Sequence, residues 1–303
     1  MKNILVIGGT GFLGSAVVRE LARRVTTADS TFTVPTRRRE RAKHLLVLPT
    51  ARVVDADVHD PATLARLMEG QDAVINLVGI LKGGEGQPYG KGFARAHVEL
   101  PRKIAVAAQA AGVRRVLHVS ALKVAADAPS GYLRSKAAGE AVLSEAGLDL
   151  TIFRPSVIFG RGDSFLTLFA KLARIAPLFP LAGADARFQP VWVEDVAAVV
   201  ADSLQRADSI GAAYDLCGPT QYSLRQLVAY AAAVAGHPRA IIGLPEAVAW
   251  LQAWAMEFIP NGPMTRDNVR SMRVPSVCDG DCALPFGRTA TPLETIAPTY
   301  LGG

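Results

Sequence analysis

Cysteine is scarce in this 303-residue chain, with only Cys217, Cys278 and Cys282. Three leave one over, which excludes a self-contained disulfide framework and fits a reducing, cytoplasmic compartment. Cys278 and Cys282 stand four apart with no second pair and no neighbouring histidine, so no zinc site is expected. Histidine is also sparse, five scattered residues, and no metal site is expected elsewhere. No apolar run is uninterrupted for the length a bilayer requires, so no transmembrane span is expected. Strand-like residues begin at Asn3 with no basic stretch or cleavage site before them, so a secretory signal is not expected either. Internal repeats and low-complexity tracts are absent. Half the residues are hydrophobic and 20% are charged, which excludes disorder as the dominant state.

What is present begins at once, in MKNILVIGGTGFLG. Ile4, Leu5, Val6 and Ile7 form an apolar run of strand length, as in a strand buried on both faces. Gly8, Gly9, Gly11 and Gly14 follow, and an amphipathic segment with Leu13, Val17 and Leu21 on one face starts inside them. Strand, glycine turn and helix N-terminus in that order form a phosphate cradle. Small residues admit a pyrophosphate close to the backbone, and free N–H groups and the helix dipole stabilise its charge. The run parses as G-x-G-x-x-G from Gly9 or G-x-x-G-x-x-G from Gly8, with Gly8, Thr10, Gly11, Phe12, Leu13 and Gly14 against a dinucleotide.

Further strands are expected at Thr31–Thr36, Ala51–Asp55, Ala73–Asn76, Val113–Val119 and Leu150–Arg154, with helical patterns between most of them. This alternation predicts an α/β, Rossmann-type doubly wound parallel sheet with a smaller C-terminal α/β lobe. Residues 1–160 read as the nucleotide-binding domain and 161–303 as a substrate or partner lobe, with segments near 190–216 returning to the sheet.

The second strand ends in Pro35-Thr36-Arg37-Arg38 with no carboxylate at the turn. An acid there would bind the ribose hydroxyls of NAD, whereas cations accommodate the extra phosphate of NADP. Arg37 and Arg38 therefore predict NADP(H) in preference to NAD(H), their planar forks suiting a phosphate; a solvated basic helix start is the alternative. The net charge of +6 would suit an anionic partner. No nucleic-acid motif accompanies it, and no nucleic-acid partner is expected. Asp60 before Pro61 reads as a helix N-cap. Glycines at 83, 84, 86, 90 and 92 make a loop that could close over a ligand or be mobile filler.

Tyr132 and Lys136 are four apart and share a helix face. A phenol acts as acid or base only if its pKa falls from near 10, which an adjacent ammonium promotes. The glycine run with this Y-x-x-x-K resembles the short-chain dehydrogenase/reductase superfamily in its extended form. The resemblance implies catalytic roles for Tyr132 and Lys136, with Lys136 also holding the nicotinamide ribose. It implies adenine contact by Asp57 and Val58. It places Leu77, Val78 and Gly79 beside the cofactor, Ser120 at the cofactor-lining strand end, and Pro155 where a strand end passes the nicotinamide. Two positions depart from the family. The hydroxyl residue expected after the fifth strand aligns with Leu122, and the expected asparagine aligns with His97.

Gly8–Gly14, Asn76–Gly79, Tyr132–Glu140 and Arg154–Phe165 together resemble an atypical subgroup. It contains the nucleotide-binding accessory subunit of mitochondrial complex I and its bacterial relatives. That resemblance implies tightly held NADPH, an incomplete catalytic set and a link to quinone or respiratory-chain biology. Two alternatives stand beside it. One is an active NAD(P)-dependent oxidoreductase, or sugar-nucleotide epimerase or dehydratase, working on a small carbonyl through Tyr132 and Lys136. Its substitute hydroxyl would be Ser120 or Ser130. The other is a nucleotide-regulated interaction module.

Asp195 reads as a structural cap of a helix running to about Arg206. Trp250, Trp254 and Phe258 recur every four residues in Glu246–Phe258, a stripe expected in the core. The alternative is an exposed face for a protein partner, a lipid surface or an isoprenoid, which would place the protein peripherally on the inner face of a membrane.

Overall fold

The computed structural model describes residues 1–25, 30–259, 262–280 and 283–302, so Cys282 lies outside the described residues. Alternating elements build the first half: β1 (Asn3–Ile7), α1 (Phe12–Arg24), β2 (Thr31–Thr36), β3 (Ala51–Asp55), α2 (Pro61–Met68) and β4 (Ala73–Asn76). There follow α3 (Lys91–Phe93), a π-helical stretch Ala94–Glu99, α4 (Leu100–Ala111), β5 (Arg115–Val119), α5 (Gly131–Ser144) and β6 (Asp149–Pro155). The second half holds β7 (Ile158–Phe159), α6 (Leu166–Ile175), β8 (Leu178–Leu181), β9 (Arg187–Phe188), β10 (Val191–Trp192), α7 (Val193–Ser203) and β11 (Ala213–Leu216). After these come β12 (Tyr222–Ser223), α8 (Leu224–Val234), β13 (Ala240–Gly243), α9 (Glu246–Glu257), α10 (Arg266–Ser271), α11 (Leu293–Ile296) and α12 (Pro298–Leu301).

Seven parallel strands form the central sheet in the order β11-β6-β5-β4-β1-β2-β3. The strict alternation of a strand explains how β1 serves both faces. Ile4 and Val6 join the apolar cluster that includes α1 and α7, and Leu5 and Ile7 join the one beneath α2, α4 and α5. Strand order reverses between β1 and β4, which opens a crevice at their carboxyl ends, where ligands bind in open α/β sheets. Strand β5 starts two residues later than the pattern suggests. Gly112, left-handed at φ +72°, ends α4, and the Val113 N–H closes back on the Ala108 carbonyl.

Asp60 caps α2 by accepting from the Thr63 N–H at 2.9 Å, as the sequence suggests. Asp195 does not cap α7, which follows Trp192. Its carboxylate accepts instead from the Thr291 N–H (2.7 Å) and hydroxyl (3.1 Å), pinning the C-terminal segment. The role is structural, through a different bond.

The smaller lobe packs α6 against α8, with α11 and α12 in one apolar cluster and β8 in another. Core placement of the tryptophan stripe is corrected here. Only Ala249 and Ala253 of α9 are buried, because alanines line its inner face and the large rings fall to the sides. Trp250 lies beneath the Arg266 and Arg270 guanidiniums, while Trp254 and Phe258 are 45% and 71% exposed. Among the described residues no helix is long and apolar enough to cross a membrane.

Candidate functional site

The glycine turn is shaped by backbone crowding. Gly8 sits at φ +84°, and the Gly11 N–H donates to its carbonyl at 3.0 Å. A Cβ at Gly14 would lie 2.2 Å from that same oxygen, so only glycine lets α1 start there. No side chain caps the start of α1, which leaves its dipole and first amides facing the crevice. Thr10, Phe12 and Leu13 are half-buried around the turn.

Across the crevice the main chain of Leu77 and Val78 comes within 3.1–3.2 Å of the position a Gly8 Cβ would take. The Asn76 carboxamide holds that segment, accepting from the Val78 N–H (3.2 Å) and meeting His118 Nδ1 (3.1 Å). Lys136 reaches the same place. Its Nζ donates to the Val78 and Val119 carbonyls at 3.2 and 3.0 Å and lies 3.5 Å from where a Gly79 Cβ would be. Ser120 is buried beside Val119, and its hydroxyl has no hydrogen-bond partner. The fold thus brings together Gly8, Leu77, Val78, Gly79, Ser120 and Lys136.

Pro155 ends β6, its carbonyl accepting from the Leu122 N–H at 3.0 Å. Arg37 and Arg38 are exposed beyond β2. Asp57 and Val58 follow β3 on the same carboxyl edge, Asp57 accepting from the His59 N–H at 3.0 Å and lying 3.9 Å from Arg95. A glycine-lined phosphate cradle and an orphaned buried hydroxyl fit a nicotinamide dinucleotide.

Tyr132 occupies the first turn of α5, its ring edge-on to Phe93 and His97 at 6.1 and 5.6 Å. Burial pushes its phenol up to about 12, and pushes the Lys136 ammonium down to about 8 against the nearby Glu140 carboxylate. The expected lowering of the phenol by the ammonium is therefore corrected. Lys136 is committed to two backbone carbonyls, and desolvation governs the tyrosine. Glu140 itself is held by Arg154 of β6. Leu122 is 3% exposed and packs with Cys217 and Cys278, so an apolar contact fills the family's hydroxyl position. Ser130 is spent as the N-cap of α5.

His97 lies in the π-helical stretch, where α5 approaches so closely that a Cβ at Gly139 would be 2.0 Å from the His97 carbonyl. The Ile80 N–H donates to its Nε2 at 3.1 Å, which assigns the ring proton to Nδ1, facing Ser135 Oγ at 2.9 Å. Ser135 then donates to the Tyr132 carbonyl at 2.8 Å. Burial holds His97 down to about 2 and His118 well below its usual value. Both are neutral bases when folded, so the unfolded chain binds more protons below pH ~6.5 and stability falls with acidification. Each should contribute about 1.4 kcal/mol per pH unit between pH ~6.5 and the folded-state value. Urea unfolding of wild type and His97→Gln from pH 7 to 5 checks this; an unchanged slope in the variant would refute it.

Sequence reasoning missed α10. Asp267 is buried, its carboxylate accepting from the Gly131 (2.7 Å) and Tyr132 (3.0 Å) amides at the start of α5. Arg270 makes paired bonds of 3.0 and 2.9 Å to Glu85 in the glycine loop. The Asn268 amide donates to the Leu81 carbonyl, and Arg134 donates to that of Pro88 at 2.7 Å. The loop is therefore tied down over the site. A T-x-x-N capping box at Thr265–Asn268 marks this short helix in sequence, but nothing local signals its partners some 135 residues away.

Comparison with known proteins agrees with this geometry. The family model described as NAD dependent epimerase/dehydratase matches residues 4–217. NADH dehydrogenase (ubiquinone) 1 alpha subcomplex subunit 9, a mitochondrial protein of Rattus norvegicus, is 31% identical over 299 residues, 95% of this chain and 77% of its own length. Ceramide reductase of Caulobacter vibrioides is 33% identical over 195 residues, covering 64% of this chain and 58% of its own. The solved NADPH-dependent quinone oxidoreductase QOR2 of Escherichia coli superposes with a TM-score of 0.77 at 23% identity, covering 99% of this chain and 100% of that one, a likeness of fold. With a glycine cradle at a sheet switch point, Y-x-x-x-K on α5 and a family match across most of its length, the chain belongs to the NAD dependent epimerase/dehydratase family.

Proposed function

We propose that the chain is an NADP(H)-binding, atypical extended short-chain dehydrogenase/reductase with weak or no ordinary dehydrogenase activity. In this reading residues 1–160 bind the nucleotide and 161–303 form the substrate or partner lobe, with segments near 190–216 returning to the sheet. The observation that carries it is an intact cradle beside a catalytic pair with an unactivated phenol and no hydroxyl at Leu122.

Gly8, Thr10, Gly11, Phe12, Leu13 and Gly14 receive the pyrophosphate at the start of α1. Asp57 and Val58 face the adenine, and Leu77, Val78, Gly79, Ser120 and Pro155 line the nicotinamide side. Lys136 holds the nicotinamide ribose. Bound there, the dinucleotide supplies a hydride donor or acceptor. Similarity to the rat subunit, whose name carries ubiquinone, supports a place in quinone-linked respiratory biology. The exposed flank of α9 supports peripheral attachment to a protein or the inner face of a membrane.

Arg37 and Arg38 favour the 2′-phosphate of NADP(H). Losing one charge-assisted bond should cost about 1.5–3 kcal/mol, roughly ten- to a hundredfold in affinity. Calorimetric titration of wild type and Arg37→Ala with NADPH and NADH is the test; equal wild-type affinity for the two would remove the assignment.

The orphaned Ser120 hydroxyl favours one second reading, an active reductase of a small carbonyl in which Ser120 replaces the missing hydroxyl. NADPH oxidation that collapses in both Ser120→Ala and Tyr132→Phe would establish it.

A further inference from the structure

Between the tied-down loop and the end of α9 lies a cavity of about 420 Å³, within the size range of small-molecule sites. Its apolar walls are Phe93, Met256, Phe258, Ile259 and Met264. Phe93 is the ring that also meets Tyr132 and His97, so the cavity adjoins the catalytic helix. Methionine walls adapt to irregular apolar shapes.

The polar groups around it are already engaged. Glu257 is held by the Arg266 guanidinium and amide, Thr265 by Asn268, and Asp267 by the α5 amides. Glu85 is taken by Arg270. Among the side chains of the described lining residues Lys82 alone keeps spare donors, since it is exposed and gives one bond to the Gly262 carbonyl. A sugar with many hydroxyls would lose its water here against side chains that already have partners. A hydrocarbon would lose nothing. At the mouth, Phe258 and Ile259 are at once cavity walls and 71% and 55% exposed, and Trp254 continues the apolar surface outward, packed edge-on to Phe258.

We infer that this cavity takes the hydrocarbon part of an amphiphile, its polar head at Lys82 and its chain leaving over Phe258, Ile259 and Trp254. This rests on the nucleotide site proposed above, and names the substrate class that site serves: lipophilic rather than sugar-nucleotide.

The test is tryptophan fluorescence and calorimetric titration of the full chain, below micellar concentrations. Four probes serve: a benzoquinone with a ten-carbon tail, the same head with a methyl group, a ten-carbon acyl ester, and UDP-glucose. The tailed quinone should bind at least thirtyfold tighter than its methyl analogue, and UDP-glucose should not displace it. Comparing the quinone with the ester shows which head the site prefers. Met264→Gln, inside the cavity, should weaken tailed probes at least tenfold. Leu251→Gln, on the exposed flank of α9, should leave them unchanged, and both variants should keep wild-type NADPH affinity. No benefit from the tail, displacement by UDP-glucose, or equal losses in the two variants would overturn the inference. NADPH binding that persists in that case leaves the nucleotide reading standing. Tail binding without any NADPH binding would instead remove that reading and keep the cavity.

Discussion

Gly11→Val should abolish nucleotide binding, at least a hundredfold in affinity, in a chain that melts close to wild type. Gly11 has ordinary extended backbone, φ −76° and ψ 179°, and an added Cβ would meet nothing nearer than the Gly8 carbonyl at 3.3 Å. The fold can absorb that contact with a few tenths of an ångström of movement. A branched side chain there would nonetheless stand over the uncapped start of α1, in the space a pyrophosphate needs. Gly14→Ala should fail in the opposite way. Its Cβ would sit 2.2 Å from the Gly8 oxygen and 2.6 Å from the Gly9 Cα. Main chain would have to move, at about 1–3 kcal/mol or more. Thermal melting and NADPH titration of both variants separate the two effects. Nucleotide affinity retained by folded Gly11→Val would put the cofactor elsewhere.

The second large effect concerns Tyr132 and Lys136. A lysine whose pKa falls from 10.5 to about 8 on folding retains its ammonium at neutral pH at a cost of about 3 kcal/mol to the empty protein. The sign follows from proton counting. The unfolded chain binds more protons between pH ~8 and ~10.5, so this contribution to stability improves as pH rises through that window. Lys136→Met removes the ammonium and keeps the bulk, so it should cost little stability even though two carbonyls lose a donor. NADPH affinity should still fall at least tenfold, because the lysine contact is made in the ground state. Tyr132→Phe should change affinity less than threefold, its phenol being unionised. Isothermal titration of the two variants decides the order; the reverse order would shift the chemistry onto Tyr132.

The central sheet is legible where its strands are short apolar runs of strand length buried on both faces, with length rather than period marking them as strands. Ile4–Ile7, closed by Gly8, and Ala73–Asn76 are of this kind. The cradle is legible because its chemistry is contiguous. The tryptophan stripe misleads because spacing reports which residues share a face, not whether anything covers it. Here alanines take the inner position. Tyr132 misleads for another reason. Proximity along a helix places the ammonium one turn away, but its direction is set by the Val78 and Val119 carbonyls, which lie 58 and 17 residues distant. Asp267 was invisible for the same cause: a carboxylate that caps a helix from another lobe leaves no local pattern.

That carboxylate and the last strand of the sheet bear on how such a chain can be divided in evolution or by a protease. A cut near residue 160 looks natural on paper, between a nucleotide half and a partner half. Physically it would strip β6 of its outer neighbour β11. Buried Arg115 would lose its acceptors at Ser203 and Ser209, and α5 would lose the Asp267 carboxylate from its N-terminal end. The two halves are joined physically into one object. Exchange of partner specificity within this family should therefore proceed by rewriting the loop around Glu85 and the α9–α10 surface in place, not by swapping modules.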